Sequence, residues 1–238
     1  KKSPLFILLV FLGLPVLAQN IPLQPVAVSE AGRNVDSMAV WIAPKIADSL
    51  VLVTEKAGGQ LMVLKADKTA TLVKRFGDMK RPNAIVIVPS VRFGRKNRDL
   101  AFVTERDANL VSVYSLPDLE KVGEFANDVP APMGISIYRH KNELLAFVVA
   151  KRAEGNDKVV RFRLVEKDGK LSGVHETQFG KELTPNQETV YVDEKRKLVF
   201  VADETAQNIK IYDLNGNLQK SFGDGVFQAQ VEGIAVEK

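Results

Sequence analysis

The stretch VLVTEKAGGQ at residues 51–60 returns as AFVTERDANL at residues 101–110. Both copies carry Val-Thr-Glu followed by a long cation, which is Lys56 in the first copy and Arg106 in the second. Each copy begins with an apolar run that is typical of a β-strand. A strand that returns together with the charges at its end predicts a chain built from repeated units.

Four types of strand return in the same order along the chain. The first type begins AVWIAP (39–44), NAIVIVP (83–89), GISIYRH (134–140), ETVYVDE (188–194) and EGIAVEK (232–238). The second type reads LVLVTEK (50–56), LAFVTER (100–106), AFVVAK (146–151) and LVFVADE (198–204). The third type is QLMVL, LVSVY, VVRFRL and NIKIY, and the fourth leads into Phe76, Phe125, Phe179 and Phe222.

This pattern predicts an all-β fold, a β-propeller of four-stranded blades. Four strands per unit, with a period of roughly 50 residues, are the sequence signature of propeller blades. A sandwich or barrel also contains many short strands, but it does not explain why all four types return in order. We expect four complete blades and the start of a fifth, which begins with residues 232–238.

The composition excludes several classes of protein. With 238 residues and 45% hydrophobic side chains, the chain can bury an ordinary globular core. Its formal charge of +4 comes from interspersed acids and bases, which argues against nucleic acid as a partner. The sequence has no cysteine and two histidines, so disulfides, thiolate zinc sites and His-rich metal sites are excluded.

The first 18 residues, KKSPLFILLVFLGLPVLA, place two lysines before an apolar run and small residues near Ala18. This is the pattern of a secretory signal peptide. The alternative is a membrane anchor, but the run is shorter than the roughly 20 residues needed to cross a bilayer. We therefore expect a signal peptide at 1–18 and a partial propeller domain at 19–238. The mature protein would be secreted or periplasmic and free of the membrane.

One charged position recurs at the end of the second strand of each unit. It is occupied by Lys56, Arg106, Lys151 and Glu204, at intervals of 50, 45 and 53 residues. Equivalent positions of propeller blades lie at the same depth around the central channel, so these residues would form part of one ring. Two interpretations remain open: a ring that binds anions, or plain surface charge. Exposed ion pairs stabilise by only about 0–1 kcal/mol, so stability is a weak reason to repeat them.

Carboxylates are concentrated in the fourth and fifth units, where Glu188 and Glu232 each open a first strand. Both should therefore lie at the mouth of the channel. Oxygen ligands without histidine or cysteine suit Ca²⁺ better than zinc or copper. A solvated acidic edge is the alternative interpretation.

These segments together resemble the β-propeller phytases, the 3-phytase family, over about residues 30–238. The resemblance rests on Asp36 with AVWIAP, VTEKAGG, VTER, GISIY, NQETVYVDE, VADE and VEGIAV. It implies a six-bladed, calcium-dependent secreted enzyme that releases phosphate from phytate (myo-inositol hexakisphosphate). It further implies that Lys56, Arg106 and Lys151 bind substrate, and that Glu188, Glu204, Glu232, Asp36 and Asp203 are calcium ligands. Metal-activated water, and no side chain, would attack phosphorus.

The chain departs from that family at several expected carboxylates and lacks the family's last blades. The family has Asp-Asp-Pro where this chain has Asp36-Ser37-Met38, and acids where this chain has Ile85 and Gln230. Calcium affinity depends on the number and charge of the ligands, so these losses weaken a calcium site. The alternative function is therefore an incomplete, non-catalytic propeller that binds inositol phosphates or a partner phytase domain, such as a second propeller.

Overall fold

The computed structural model describes residues 29–30, 32–151, 153, 155 and 158–235. The predicted signal peptide at 1–18 and the last three residues of the predicted fifth blade lie outside these residues. Within the described ranges, sixteen strands alternate with turns, and helix is limited to two short 3₁₀ segments, Ile46–Asp48 and Arg106–Ala108. None of the helices in this part of the chain is long and apolar enough to cross a membrane.

The sixteen strands form four blades of four antiparallel strands each, which confirms the predicted fold class. Blade 1 contains β1 Val35–Trp41, β2 Leu50–Glu55, β3 Gln60–Lys65 and β4 Leu72–Phe76. Blade 2 contains β5 Pro82–Phe93, β6 Lys96–Glu105, β7 Leu110–Leu116 and β8 Glu120–Phe125. Blade 3 contains β9 Pro132–His140, β10 Glu143–Ala150, β11 Val159–Lys167 and β12 Lys170–Phe179. Blade 4 contains β13 Gln187–Asp193, β14 Leu198–Asp203, β15 Asn208–Asp213 and β16 Leu218–Phe222.

After blade 4 the described chain runs on without forming a fifth set of strands. Residues 231–235 have no strand pairing. They still lie against blade 4, because the Thr189 hydroxyl donates to the backbone carbonyl of Glu232 at 2.9 Å. The part of the predicted fifth blade that is described is therefore a segment packed on blade 4.

Neighbouring blades are held together by apolar side chains on their facing surfaces. The second strands show the pattern most clearly, since Leu52, Phe102 and Phe147 hold the same position in blades 1, 2 and 3 and are fully buried. Each packs into the core that its blade shares with the following blade. Full burial of such a side chain stabilises by roughly 1.5–3 kcal/mol. The repeat seen in the sequence is therefore the repeat of these contacts.

Two glycines allow neighbouring blades to approach closely. A Cβ atom on Gly134 of β9 would lie 2.7 Å from the backbone carbonyl oxygen of Glu188 on β13. A Cβ atom on Gly123 of β8 would overlap the backbone of Leu171 on β12, where the outer strands of blades 2 and 3 pair in parallel. A side chain at either position would force the two backbones apart.

Blade 1 presents an open apolar face on the side away from blade 2. Met38 is 70% exposed, whereas its equivalents Ile85, Ile135 and Val190 are 6%, 7% and 5% exposed. Those three residues pack against the preceding blade. Among the described residues, no blade covers Met38 in the same way.

Candidate functional site at the channel mouth

The first strands of the blades begin around a central cleft of about 450 Å³. The cleft is bordered by residues 36–38 of blade 1, 83–85 of blade 2, 134–135 of blade 3, 188–190 of blade 4 and the following residues 232–234. We call the end of the cleft where the first strands begin the channel mouth. The predicted residues Asp36, Glu188 and Glu232 all border it.

The recurring charged position is structurally equivalent in all four blades. In each blade the backbone N–H of this residue donates to a backbone carbonyl at 3.0–3.2 Å. The donor and acceptor pairs are Lys56 and Asn34, Arg106 and Arg81, Lys151 and Ala131, and Glu204 and Asn186. In each blade the acceptor lies just before the first strand, next to the mouth. We call Lys56, Arg106, Lys151 and Glu204 the ring position. The sequence interval alone predicted this equivalence.

The acid that precedes the ring position does not pair with the ring cation. Glu55 is fully buried and accepts hydrogen bonds from the backbone N–H of Arg33 at 2.6 Å and from Gln60 at 2.6 Å. Burial opposes its ionisation, but the bonds from Gln60 and Arg33 and the charge of Arg75 hold the pKa of Glu55 below its ordinary value. This carboxylate therefore ties the segment that enters blade 1 to the second strand.

Glu105 plays the same part in blade 2. It accepts from the backbone N–H of Lys80 at 2.9 Å and from the Ser112 hydroxyl at 2.5 Å. In blade 4 the position is held by Asp203, which is fully buried and accepts from the backbone N–H groups of Thr184 and Ala206 and from the Thr184 hydroxyl. We call Glu55, Glu105 and Asp203 the buried-acid position. Both oxygens of Asp203, a predicted calcium ligand, already accept bonds from the chain itself.

The threonine of the Val-Thr-Glu motif links neighbouring blades. The Thr54 hydroxyl donates to the carbonyl of Asn83 in blade 2 at 2.7 Å, and the Thr104 hydroxyl donates to the carbonyl of Met133 in blade 3 at 2.7 Å. Each hydroxyl also accepts a backbone N–H from the first strand of its own blade, from Ser37 and Ala84 respectively. The motif thus joins a first strand, a second strand and the next blade.

The ring cations Lys56 and Lys151 reach carboxylates at the mouth. Lys56 Nζ lies 2.5 Å from Asp36 Oδ1, within blade 1. Lys151 Nζ lies 3.1 Å from Glu188 Oε2 and 3.4 Å from Glu204 Oε2, which joins blade 3 to blade 4. Glu188 and Glu204 thus converge on one ammonium group. Five of the predicted site residues therefore take part in these contacts: Lys56, Asp36, Lys151, Glu188 and Glu204.

Burial of Glu188 raises the pKa of its carboxyl group. The hydrogen bond and charge of Lys151 and the charge of Lys56 act in the opposite direction. The charge of Lys56 acts on Glu188 although the two residues belong to blades 1 and 4. Lys56 and Lys151 each pair with a carboxylate that borders the same cleft, Asp36 and Glu188 respectively.

Arg106 holds the ring position of blade 2 but has a different environment. Its Nε lies 3.9 Å from Asp107 Oδ1. The same buried Nε–H has no hydrogen-bond partner among the described residues. Arg106 is therefore a cation beside the mouth whose buried donor is not used by the chain.

The carboxylates at the mouth are the type of ligand that Ca²⁺ binds, but among the described residues too few of them lie close together to form a complete site. Ca²⁺ binds six to eight oxygen ligands, which include carboxylates, carbonyls and water. Glu188 and Glu204 converge on one point. Across the described residues, however, no group of three or more acidic or histidine side chains is close enough to hold a metal ion. These two residues could bind Ca²⁺ if oxygens of the substrate and of water completed the coordination.

Comparisons with known proteins establish the fold alone. No family model and no curated protein sequence matches the chain. Among solved structures, a functionally unknown protein from Desulfotomaculum acetoxidans is 18% identical with a TM-score of 0.60, and it matches 83% of this chain and 60% of its own. A "putative 6-phosphogluconolactonase" from Bacteroides uniformis is 13% identical with a TM-score of 0.52, and matches 80% of this chain and 57% of its own.

A third structure, from Bacteroides fragilis, carries the same 6-phosphogluconolactonase name. It is 17% identical with a TM-score of 0.53, and matches 80% of this chain and 54% of its own. The chain therefore spans less than two thirds of each of these three proteins. Nothing in these comparisons points to the phytases in particular.

Sequence reasoning missed two residues beside the mouth, Arg81 and Asn83. The only signal for them is their place in Arg81-Pro82-Asn83, directly at the start of a first strand. Their relevance depends on which polar atoms lack a partner. That property follows from side-chain packing and has no periodic pattern in the sequence.

Proposed function

We propose that the channel mouth binds a polyphosphorylated small molecule such as phytate, and that the protein hydrolyses its phosphate monoesters in the presence of Ca²⁺. The observation that carries the proposal is the shared backbone geometry of Lys56, Arg106 and Lys151 at one mouth. In this proposal the protein acts after export, in the periplasm or the medium.

The chain's own residues have distinct parts in this proposal. Lys56, Lys151 and Arg106 donate charge-assisted hydrogen bonds to phosphate oxygens. Phosphate oxygens would displace Asp36 from Lys56, and the pair Glu188 and Glu204 from Lys151. The freed carboxylates of Glu188 and Glu204, with Glu232 nearby on the cleft wall, would hold Ca²⁺. When bound, Ca²⁺ supplies charge neutralisation and a water of lowered pKa.

The test is release of inorganic phosphate from phytate by the purified protein, with Ca²⁺ and with excess chelator. We expect release only with Ca²⁺. Arg106→Ala should lower kcat/KM by about 100-fold, which is the usual effect of losing one positioned donor. Lys121→Ala is the matched control, because Lys121 pairs with Glu124 on an outer strand. Equal turnover in chelator would refute the calcium requirement.

A second candidate is binding of inositol phosphates without catalysis, either alone or together with a partner propeller. It is favoured by the absence of a three-carboxylate group within the described ranges. Calorimetry distinguishes the two candidates. A protein that binds phytate and releases no phosphate at any Ca²⁺ concentration would be a binding module.

A third candidate follows from the name that two of the structural neighbours carry, which denotes hydrolysis of a phosphorylated sugar lactone. It shares with the first candidate a phosphorylated substrate and hydrolysis. The products separate them, because opening a lactone produces a carboxylic acid and no inorganic phosphate. A pH-stat assay with 6-phosphogluconolactone, run beside the phosphate assay, tests this candidate directly.

A further inference from the structure

Buried polar atoms without a partner are concentrated at one corner of the mouth. Of the six such atoms among the described side chains, three lie where blade 2 meets the mouth: Arg81 Nε, Asn83 Oδ1 and Arg106 Nε. A buried polar atom left without a hydrogen bond costs about 1–3 kcal/mol. Three such atoms at the adjoining ends of two strands indicate a place where something outside the chain supplies the partners.

The backbone brings these three residues to the same corner. The Arg106 N–H donates to the Arg81 carbonyl at 3.2 Å, so the two arginines lie side by side at the end of β6 and the start of β5. Asn83 lies two residues further on, is 3% exposed and borders the cleft. The three residues therefore lie together where β5 begins and β6 ends, and Asn83 is the one of them that borders the cleft.

The blade does not need an arginine at position 81 for its own structure. The equivalent residues are Asn34, Ala131 and Asn186, and only their backbone carbonyls take part in the repeated hydrogen bond. Arg81 has a φ of +58°, a left-handed conformation that Asn adopts more readily, as Asn34 does in blade 1. Among the described residues Arg81 has no carboxylate partner, in contrast to Lys56 and Lys151.

The three atoms define the chemistry of a ligand. An Nε–H is a donor, and arginine keeps its charge at every physiological pH, so the pair Arg81 and Arg106 suits a phosphate oxyanion. Asn83 Oδ1 is an acceptor and requires a donor from the ligand. A phosphate ester of a polyol that retains a free hydroxyl carries both groups close together.

We propose that Arg81, Asn83 and Arg106 form a subsite that binds a polyol phosphate, with the phosphate on the two arginines and a free hydroxyl donating to Asn83 Oδ1. This inference rests on the proposed function for the location of the ligand. It adds Arg81 and Asn83 to the site. It also predicts that the partly dephosphorylated products of phytate, which have a free hydroxyl, fit this subsite better than phytate, which has none.

The first measurement uses the wild-type protein and the side-chain Nε–H signals of arginine in ¹⁵N NMR spectra. On titration with myo-inositol 1-phosphate, the Nε–H signals of Arg81 and Arg106 should shift together. The Arg163 signal is an internal control, because its Nε already donates to Glu176 at 2.8 Å. Arg81→Ala assigns one of the signals. Unchanged signals under conditions where calorimetry shows binding would overturn the subsite.

The second measurement is the affinity of variants for two ligands, myo-inositol 1-phosphate and methyl phosphate. Arg81→Ala should weaken both by about tenfold, the effect of losing one charge-assisted hydrogen bond. Asn83→Leu should weaken only myo-inositol 1-phosphate. Lys80→Ala is the control, because it removes the same charge from a neighbouring side chain that is 63% exposed and pairs with Asp78.

The outcomes separate this inference from the proposed function. If wild type binds both ligands and neither Arg81→Ala nor Asn83→Leu differs from Lys80→Ala, the subsite is overturned while the proposed mouth survives. If wild type binds phytate but neither of the two smaller ligands, the subsite alone is overturned. If it does not bind phytate either, the proposed function and the subsite are both overturned.

Discussion

Blades 2 and 3 differ at the end of the second strand: both have a cation there, but only blade 2 has an acid before it. Blade 2 ends in Glu105-Arg106, whereas blade 3 ends in Ala150-Lys151. Glu105 accepts the backbone N–H of Lys80. The residue at the place of Lys80 in blade 3 is Pro130, which has no N–H to donate. The acid is present where the entering segment has a donor and absent where it has none.

The cation shows no such dependence on the backbone. Arg106 and Lys151 both hold the ring position, with or without an acid before them. Blade 4 supports the same distinction, because Pro185 stands at the place of Lys80 and Asp203 accepts from Thr184 instead. The acids therefore follow the hydrogen-bonding needs of the chain. Lys56 and Lys151 pair with carboxylates at the mouth and not with the segment that enters their blade. This difference is consistent with the ligand-binding role that we propose for the cations.

Glu105→Ala should produce the largest loss of stability. It tests whether the buried acids are needed for the hydrogen bonds of the chain. It leaves the N–H of Lys80 and the hydroxyl of Ser112 without their acceptor. This should lower the free energy of unfolding by about 2–4 kcal/mol. Urea denaturation measures the change in the free energy of unfolding. Lys56→Ala, at the ring position, is the comparison variant and should cost less than Glu105→Ala, because it breaks one ion pair and leaves no backbone N–H without an acceptor. Equal losses of stability for the two variants would show that the acid and the cation do not differ in structural importance.

Thr104→Val should have an intermediate effect, because it keeps the shape of the side chain and removes the link to blade 3. The hydroxyl donates to Met133 and accepts from Ala84. Loss of these bonds should lower the free energy of unfolding by about 1–2 kcal/mol, by urea denaturation. Amide hydrogen exchange should also rise at Ala84, whose N–H loses its acceptor. Unchanged exchange there would show that the hydroxyl does not join the blades.

The smallest effect on stability concerns Glu188 and pH. Burial raises the pKa of Glu188 in the folded protein, so the folded state binds this proton more tightly than the unfolded chain. The stability from this group is therefore present at low pH and is lost as pH rises from the ordinary value of 4.5 through the higher folded-state pKa. Lys151→Met removes an opposing charge and should raise the pKa of Glu188 further.

Carboxyl ¹³C NMR titration of Glu188 measures that shift. Lys121→Met, on an outer strand, serves as the control and should leave the titration unchanged. A pKa of Glu188 that stays the same or falls in Lys151→Met would show that Lys151 does not act on this carboxylate.

Much of the fold and part of the site could be predicted because they are periodic. The return of four strand types fixes the blade, and the interval between Lys56, Arg106 and Lys151 predicts one ring position. The partner of each charged side chain could not be predicted from the sequence. Glu55 and Lys56 are adjacent in the sequence, but consecutive residues at the end of a strand point to opposite sides and so have different partners. Glu55 turns into the blade, and Lys56 turns to Asp36.

The sequence by itself determined the repeat, the all-β class and the kinds of charge available at the mouth, because strand periodicity and residue type are local properties. Only the tertiary structure decided which carboxylates serve the backbone, which ones converge on Lys151, and which donors of blade 2 are left unused. Those outcomes depend on contacts between segments that are far apart in the chain. Whether a charged group is paired is a property of its three-dimensional neighbours.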